Sequence, residues 1–251
     1  MFPAHISLRD IGTALLDPVL PRRCVVCGRE LLLRERFICT QCLAGLPETF
    51  FWALPHNPMA DRFNAMIQKD LPEGESEPYS YACALFFYRG ESPYRHITPH
   101  LKYGHGLASG RFFSRLLAER LAGAAHFTDV DWVVPVPLHW TRRVRRGHNQ
   151  AETIAREIAD VLGAQLHPRV ILRNRHTRSQ THLSVASKLS NVSGAFSPRP
   201  GYAPNASPRH ILLVDDVFTT GATMNECRKA LRERFGAEVR ISAVSLAFVD
   251  D

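Results

Sequence analysis

The stretch Ile211-Leu-Leu-Val-Asp-Asp-Val-Phe-Thr-Thr-Gly-Ala-Thr-Met224 constrains this chain more than any other. Ile211 to Val214 read as a buried strand, with Asp215 and Asp216 at its C-terminal end. Thr219, Thr220, Gly221, Ala222 and Thr223 form a short loop that opens a helix. A glycine there lets the backbone approach a ligand closely. Threonine hydroxyls and the N–H groups at a helix start make an anion cradle. A monophosphate in that cradle, with a diol or a metal beside the two acids, describes a ribose 5-phosphate. A Walker-B strand also ends in acids, but it needs a Gly-Lys-Ser/Thr loop elsewhere, and the sequence has none. An ordinary strand–turn–helix is the remaining alternative.

The rest of the second half fits the same layout. Trp132 to Val136 is an apolar run of strand length. Asn149 with Glu152 reads as a capping box, and Ala151, Ile154, Ala155, Ile158 and Leu162 give the helix an apolar face that Gly163 ends. Val170 to Leu172 reads as a short strand, 223–235 as a helix and Val239–Phe248 as a last strand. Upstream, Tyr81–Tyr88 reads as a strand and Phe113, Leu116, Leu117 and Leu121 as one helix face. Alternating strands and helices predict a parallel sheet with helices on both faces.

Cys24-Val-Val-Cys27 and Cys39-Thr-Gln-Cys42 give a C-x2-C-x11-C-x2-C pattern. Each pair makes a knuckle with two thiolates, and two knuckles complete a closed tetrahedral zinc site, structural in role because no position stays open. A redox site needs one such pair in a βαβ context, and two disulfides do not suit a reducing compartment. Cys227 shares a helical face with Met224 and Leu231, and Cys83 lies in a strand, so both are expected in the core. Before the first knuckle, Leu8, Ile11 and Leu15 sit at helical spacing. No apolar run approaches the ~18 residues of a membrane helix. Arg9, Asp10 and Asp17 interrupt the first apolar residues, so a signal peptide is not expected and a cytoplasmic location is.

The net charge of +7 suits phosphates or nucleic acid, or a basic solvated surface. Beyond Pro135-Val136-Pro137, a second loop carries Arg142, Arg143, Arg145 and Arg146, then Gly147, and runs into a helix. Arginine forks and a helix dipole together can hold a pyrophosphate; an exposed basic loop is the plainer reading. The polar stretch 173–196, with Arg173, Arg175, Arg178, Gln180 and Lys188, is long enough to act as a lid over a phosphorylated ligand or to be a surface excursion. Pro, Asn, Glu and Ser make 45–80 read as a connector.

The 211–224 segment resembles the PRPP-binding motif of the type I phosphoribosyltransferases. Pro21-x-x-Cys24-x-x-Cys27, Cys39-x-x-Cys42, Leu101-Lys102-Tyr103-Gly104, Val134-Pro-Val-Pro-Leu-His139, Arg146-Gly-His-Asn-Gln150, Gln180-x-x-Leu183 and Asn191-x-x-Gly194-Ala-Phe196 resemble the ComF family, linked to competence and DNA utilisation in bacteria. Lys188 stands where members usually carry Arg, keeping the charge but not the fork, and His148 where Phe is commoner. The resemblance implies an α/β type I phosphoribosyltransferase fold (81–251), behind an N-terminal helix and four-cysteine zinc finger (1–50) and a connector (51–80). It implies PRPP and Mg²⁺ as ligands, Asp215 and Asp216 on the ribose, Thr219–Thr223 on the 5-phosphate, and Lys102, Arg142, Arg145, Arg146 and Gly147 on the pyrophosphate. Non-catalytic binding of single-stranded DNA alongside DNA-uptake and recombination proteins, and PRPP sensing, are the rival expectations.

Overall fold

The computed structural model describes residues 21–101, 106–139, 141, 144, 147–174, 193–202 and 207–250. At its centre lie five parallel strands: β1 (Ala82–Tyr88), β2 (Trp132–Pro135), β3 (Gln165–Leu166), β6 (His210–Phe218) and β7 (Arg240–Val249). They form one sheet in the order β1-β7-β6-β2-β3. β1, β6 and β7 are largely apolar runs buried on both faces, as strands covered on two sides must be. β4 (Ile171–Arg173) and β5 (Phe196–Pro198) form a separate antiparallel ribbon. The helix expected near residues 6–17 lies outside the described residues.

The helices that position the site are α1 (Thr40–Ala44), α2 (Pro58–Asp70), α3 (Leu107–Ala122), α4 (Gln150–Leu162) and α5 (Ala222–Phe235). Right-handed crossovers decide their faces. From β1 to β2 and from β2 to β3 the chain steps the same way along the sheet, so α3 and α4 share a face and pack on each other. From β6 to β7 it steps back, so α5 covers the opposite face. The reversal falls between the neighbours β2 and β6, and loops leaving their C-terminal ends part there. Open α/β sheets bind ligands in such a crevice.

Three local expectations are corrected. Asn149 caps no N–H group of α4 with its side chain; its Nδ2 instead donates to the Val136 carbonyl at 3.0 Å, tying the helix start to the end of β2. The stretch read as connector carries α2, with Asn57 Oδ1 accepting from the N–H groups of Met59 and Ala60 and with Met59, Phe63 and Ile67 buried four residues apart. Val170–Leu172 belongs near the β4–β5 ribbon and not to the main sheet. Cys83 and Cys227 are both buried, as their positions in a strand and on a helix face require.

The cysteine-rich segment is bound to the sheet by its own chain. Phe87 N–H donates to the Pro47 carbonyl at 2.9 Å and Thr49 N–H to the Leu85 carbonyl at 3.1 Å, adding an antiparallel rung to the β1 edge. The Tyr94 hydroxyl donates to the Cys42 carbonyl at 2.9 Å, and Arg120 of α3 grips Glu48 with two contacts of 3.1 Å. Among the described residues, no helix is long and apolar enough to cross a membrane.

Candidate functional site

At the β2–β6 crevice, pairing is lopsided. β2 follows β6 only as far as Pro135 opposite Val214, with one further bond from Val136 N–H to the Val214 carbonyl. β6 then runs on through Asp215, Asp216, Val217 and Phe218 against β7 alone. The acids therefore extend the strand beyond the Val214 end read from sequence and line its open side. Alternation along a strand sends the two carboxylates to opposite faces. Asp216 N–H donates to Asp215 Oδ1 at 2.9 Å. Burial, and then the charge of Asp216, pushes the Asp215 carboxyl up to about 8; the positive charge of Arg173 pulls the other way.

Arg173 ends β4 and lies over the Phe196 ring of β5, 5.2 Å from its centroid. The sequence marked it only as part of a lid. Its placement within electrostatic reach of Asp215 comes from the pairing of β4 with β5, which the strand read at Val170–Leu172 did not by itself announce.

The loop after β6 is shaped from behind. Gly221 has φ +83°, and a Cβ there would stand 2.6 Å from the Phe218 ring and 3.2 Å from Met66 Sδ. Position 221 therefore excludes every side chain twice over, by conformation and by space. Arg62 of α2 donates to the Thr219 carbonyl at 2.9 Å and to the Val249 carbonyl at 3.3 Å, holding the loop against the end of β7. Ala222 N–H donates to Thr220 Oγ1. α5 carries no acid in its first turn, so its positive end faces the crevice without a built-in counter-charge. Farther along α5, buried Arg228 pairs with Glu77 at 2.7 Å and Asn225 Nδ2 donates to Asp70 at 2.6 Å, which fixes the helix to α2 and to the segment after it.

On the β2 side, Gly147 is in place ahead of α4 with φ +76°, and His148 Nε2 lies 3.2 Å from the Leu101 carbonyl. Lys102, Arg142, Arg145 and Arg146 lie outside the described residues, as do Arg178, Gln180 and Lys188 of the expected lid. The structure thus brings together Asp215, Asp216, Thr219–Thr223, Arg173 and the base of the second loop.

The second candidate centre is the cysteine cluster. The sulfurs of Cys24, Cys27, Cys39 and Cys42 all lie within 4.8 Å of one another. Cys27 and Cys39 are 3.9 Å apart, close to the ~3.8 Å edge of a tetrahedron with zinc–sulfur bonds of about 2.3 Å. Cys39 N–H points at Cys24 Sγ and Cys42 N–H at Cys39 Sγ, each at 3.4 Å, the orientation that supports thiolates. Burial opposes ionisation of Cys24, yet the N–H groups around it win and lower its pKa. Burial and the other thiols raise that of Cys42. Four such sulfurs are placed to hold a metal ion.

No protein-family model matches the chain. It is 31% identical over 239 residues to DNA utilization protein YhgH of Salmonella typhi, an alignment covering 88% of this chain and 96% of that protein. The chain belongs to the ComF family. Two further ComF relatives match over shorter spans. Competence protein F of Haemophilus influenzae is 35% identical over 116 residues, 46% of this chain and 50% of that protein. Competence protein ComFC of Streptococcus pneumoniae is 31% identical over 134 residues, 52% of this chain and 53% of that protein. The ComF resemblance read from the motifs is thereby shown, while the roles of individual site residues rest on their geometry.

Proposed function

We propose that this ComF-family chain serves competence and DNA utilisation by binding PRPP at the crevice between β2 and β6, behind a structural zinc module. The names of the relatives, Competence protein F, ComFC and DNA utilization protein YhgH, support the first part. One observation carries the second: an acid pair and a threonine–glycine loop meet where the sheet reverses direction, at the positive end of α5. There the N–H groups of the loop and the hydroxyls of Thr219, Thr220 and Thr223 take the 5-phosphate. Asp215 and Asp216 accept hydrogen bonds from the ribose hydroxyls and face the positive charge that develops on the sugar. Lys102, Arg142, Arg145 and Arg146, with the backbone at Gly147, take the pyrophosphate. Mg²⁺ bound with PRPP would supply further positive charge at the phosphates. As an enzyme, the chain would break the bond from ribose C1 to pyrophosphate as an acceptor forms its own bond to C1. Positioning and charge would then supply most of the rate.

Calorimetry with PRPP, with and without Mg²⁺, tests the reading. Asp216→Asn and Thr220→Ala should each weaken binding about 10- to 150-fold, the loss of a charge-assisted contact worth ~1.5–3 kcal/mol. Unchanged affinity in both folded variants would remove the assignment. Release of pyrophosphate, measured across nucleobases and without an acceptor, then separates catalysis from binding.

A second reading, non-catalytic binding of single-stranded DNA, draws on the relatives' names and on exposed Arg23, Arg29, Arg34 and Arg36 around the cysteine cluster. It predicts a steep salt dependence, with a log–log slope of about −0.7 per neutralised phosphate. DNA binding that persists in saturating PRPP and in Arg146→Ala places that surface on the cysteine module.

A further inference from the structure

We infer that Glu35 and Arg29 are positioning residues of the metal centre, which together set the separation and charge of the two knuckles. The inference rests on the reading of the cysteine cluster as a zinc site. Glu35 lies in the spacer between the knuckles and is buried, only 7% exposed. No sequence pattern singles it out. Its two oxygens serve different halves of the module. Oε1 accepts from Thr40 N–H at 2.6 Å and from the Thr40 hydroxyl at 2.9 Å. Oε2 accepts from Leu32 N–H at 2.8 Å. Thr40 directly follows Cys39 and begins α1, so the carboxylate fixes the second knuckle to the loop that leaves the first.

Arg29 completes the link. It follows the first knuckle, and its Nη2 lies 3.4 Å from Glu35 Oε1, the oxygen that also holds Thr40 beside Cys39. A zinc ion with four thiolates keeps a net negative charge, so a guanidinium held between the knuckles by Glu35 offsets part of it. The carboxylate in turn orients the guanidinium. Arg22 braces the same loop from the other side, donating to the carbonyls of Glu35 and of Leu32, the latter at 3.2 Å. Outer partners of this kind orient ligands that would otherwise sample other positions, and losing them typically weakens metal binding about 10- to 100-fold.

Glutamine at position 35 is the informative change. It keeps the shape but offers one acceptor oxygen, so either Thr40 or Leu32 presents its N–H to an amide NH₂. Competition with a chromophoric chelator on the full chain measures zinc affinity. Glu35→Gln should weaken it about 10- to 100-fold, Arg29→Gln several-fold, and Glu30→Gln, on the exposed side of the same loop, not at all. Cobalt(II) substitution supplies a signature that general destabilisation would not give. The wild-type chain should show the strong visible bands of a tetrahedral thiolate site, and Glu35→Gln should weaken and shift them at full cobalt occupancy. Zinc affinity of Glu35→Gln within twofold of wild type overturns the proposal, as does an equal loss in Glu30→Gln. If Glu35→Gln does not fold, Arg29→Gln decides, because that side chain is exposed; an unchanged affinity and spectrum there overturn the proposal. A wild-type chain that takes up no zinc overturns the metal reading itself, and this inference falls with it.

Discussion

The two ends of the sheet use the same residue types to opposite purposes. At the N-terminal end, buried His210 lies between Asp129 Oδ1 at 2.7 Å and Ser242 Oγ at 2.8 Å. Asp131 Oδ2 accepts from the N–H groups of Arg209 and His210, and Arg240 faces Asp129 at 3.4 Å. Aspartate, histidine and serine stand there in line, as in a hydrolase, yet Ser242 is fully buried and also accepts from Tyr81 N–H. A nucleophile that no substrate can reach is a structural pin. At the C-terminal end, burial and the neighbouring Asp216 disfavour the charged form of Asp215, and a helix start faces the crevice without a counter-charge. Polar groups that answer one another mark the closed end, and an acid disfavoured in its charged form beside a helix start marks the end proposed as the binding site.

The largest effect that would break this contrast belongs to Gly221. Gly221→Ala combines a left-handed backbone with a 2.6 Å clash on Phe218. It should cost about 2–5 kcal/mol of stability, and PRPP affinity with it. Gly147→Ala, also at positive φ but with nothing within 4 Å, should cost only about 1 kcal/mol. Urea denaturation compares the pair, and equal losses would mean that the close approach at 221 does not matter.

Next comes His210→Ala, which strands Asp129 and Ser242. It should destabilise by about 2–4 kcal/mol and leave PRPP binding unchanged. Asp215→Asn should do the reverse, weakening the ligand while holding or raising stability. A variant that moves both properties at either end would erase the distinction.

The pH dependence sharpens it further. Burial lowers the pKa of His210 below its ordinary 6.5 despite the Asp129 contact. The unfolded chain therefore binds the extra proton first, and stability should fall as pH drops below about 6.5. Asp215 behaves oppositely. Its folded pKa is raised, so the native state holds the extra proton and stability should decline between about pH 4 and 8 as pH rises. The two contributions oppose each other below about pH 6.5, so denaturation midpoints should fall with rising pH across this range in His210→Ala, and should rise up to about pH 6.5 and then level off in Asp215→Asn. The smallest effect is Arg120→Ala. Its partly exposed pair with Glu48 should cost no more than about 1 kcal/mol.

The proposed binding end was far more legible in the sequence than its surroundings. Strand, acids, loop and helix start lie in the single run from Ile211 to Met224, and such local order writes itself into adjacent positions. The cysteines were equally plain, since ligand spacing is local chemistry. What escaped was assembled from distant parts. Arg62 clamps a loop 157 residues away, and Glu35 reads as one more surface acid until its partners are known. The missed helix α2 hid behind a Pro-rich, acidic neighbourhood, although Asn57-Pro58 is a good start signal. β5 is too short for periodicity to register, and although the strand at Val170–Leu172 was read, its pairing with β5 was not. The expected capping box failed because Asn149 serves the end of β2, a contact that spacing within one helix cannot encode.

The rung that Pro47 and Thr49 add to β1 has a consequence for that edge of the sheet. A parallel sheet ends in a row of N–H and carbonyl groups that will accept any passing strand. Here the stretch leaving the cysteine module occupies that row, and Tyr94 and Arg120 hold the module against it. The four sulfurs thus stand guard over a boundary well away from the acids. If a metal holds the module together, stripping it should uncover a template for another copy, so the first sign of its loss should be self-association, not a change at the crevice.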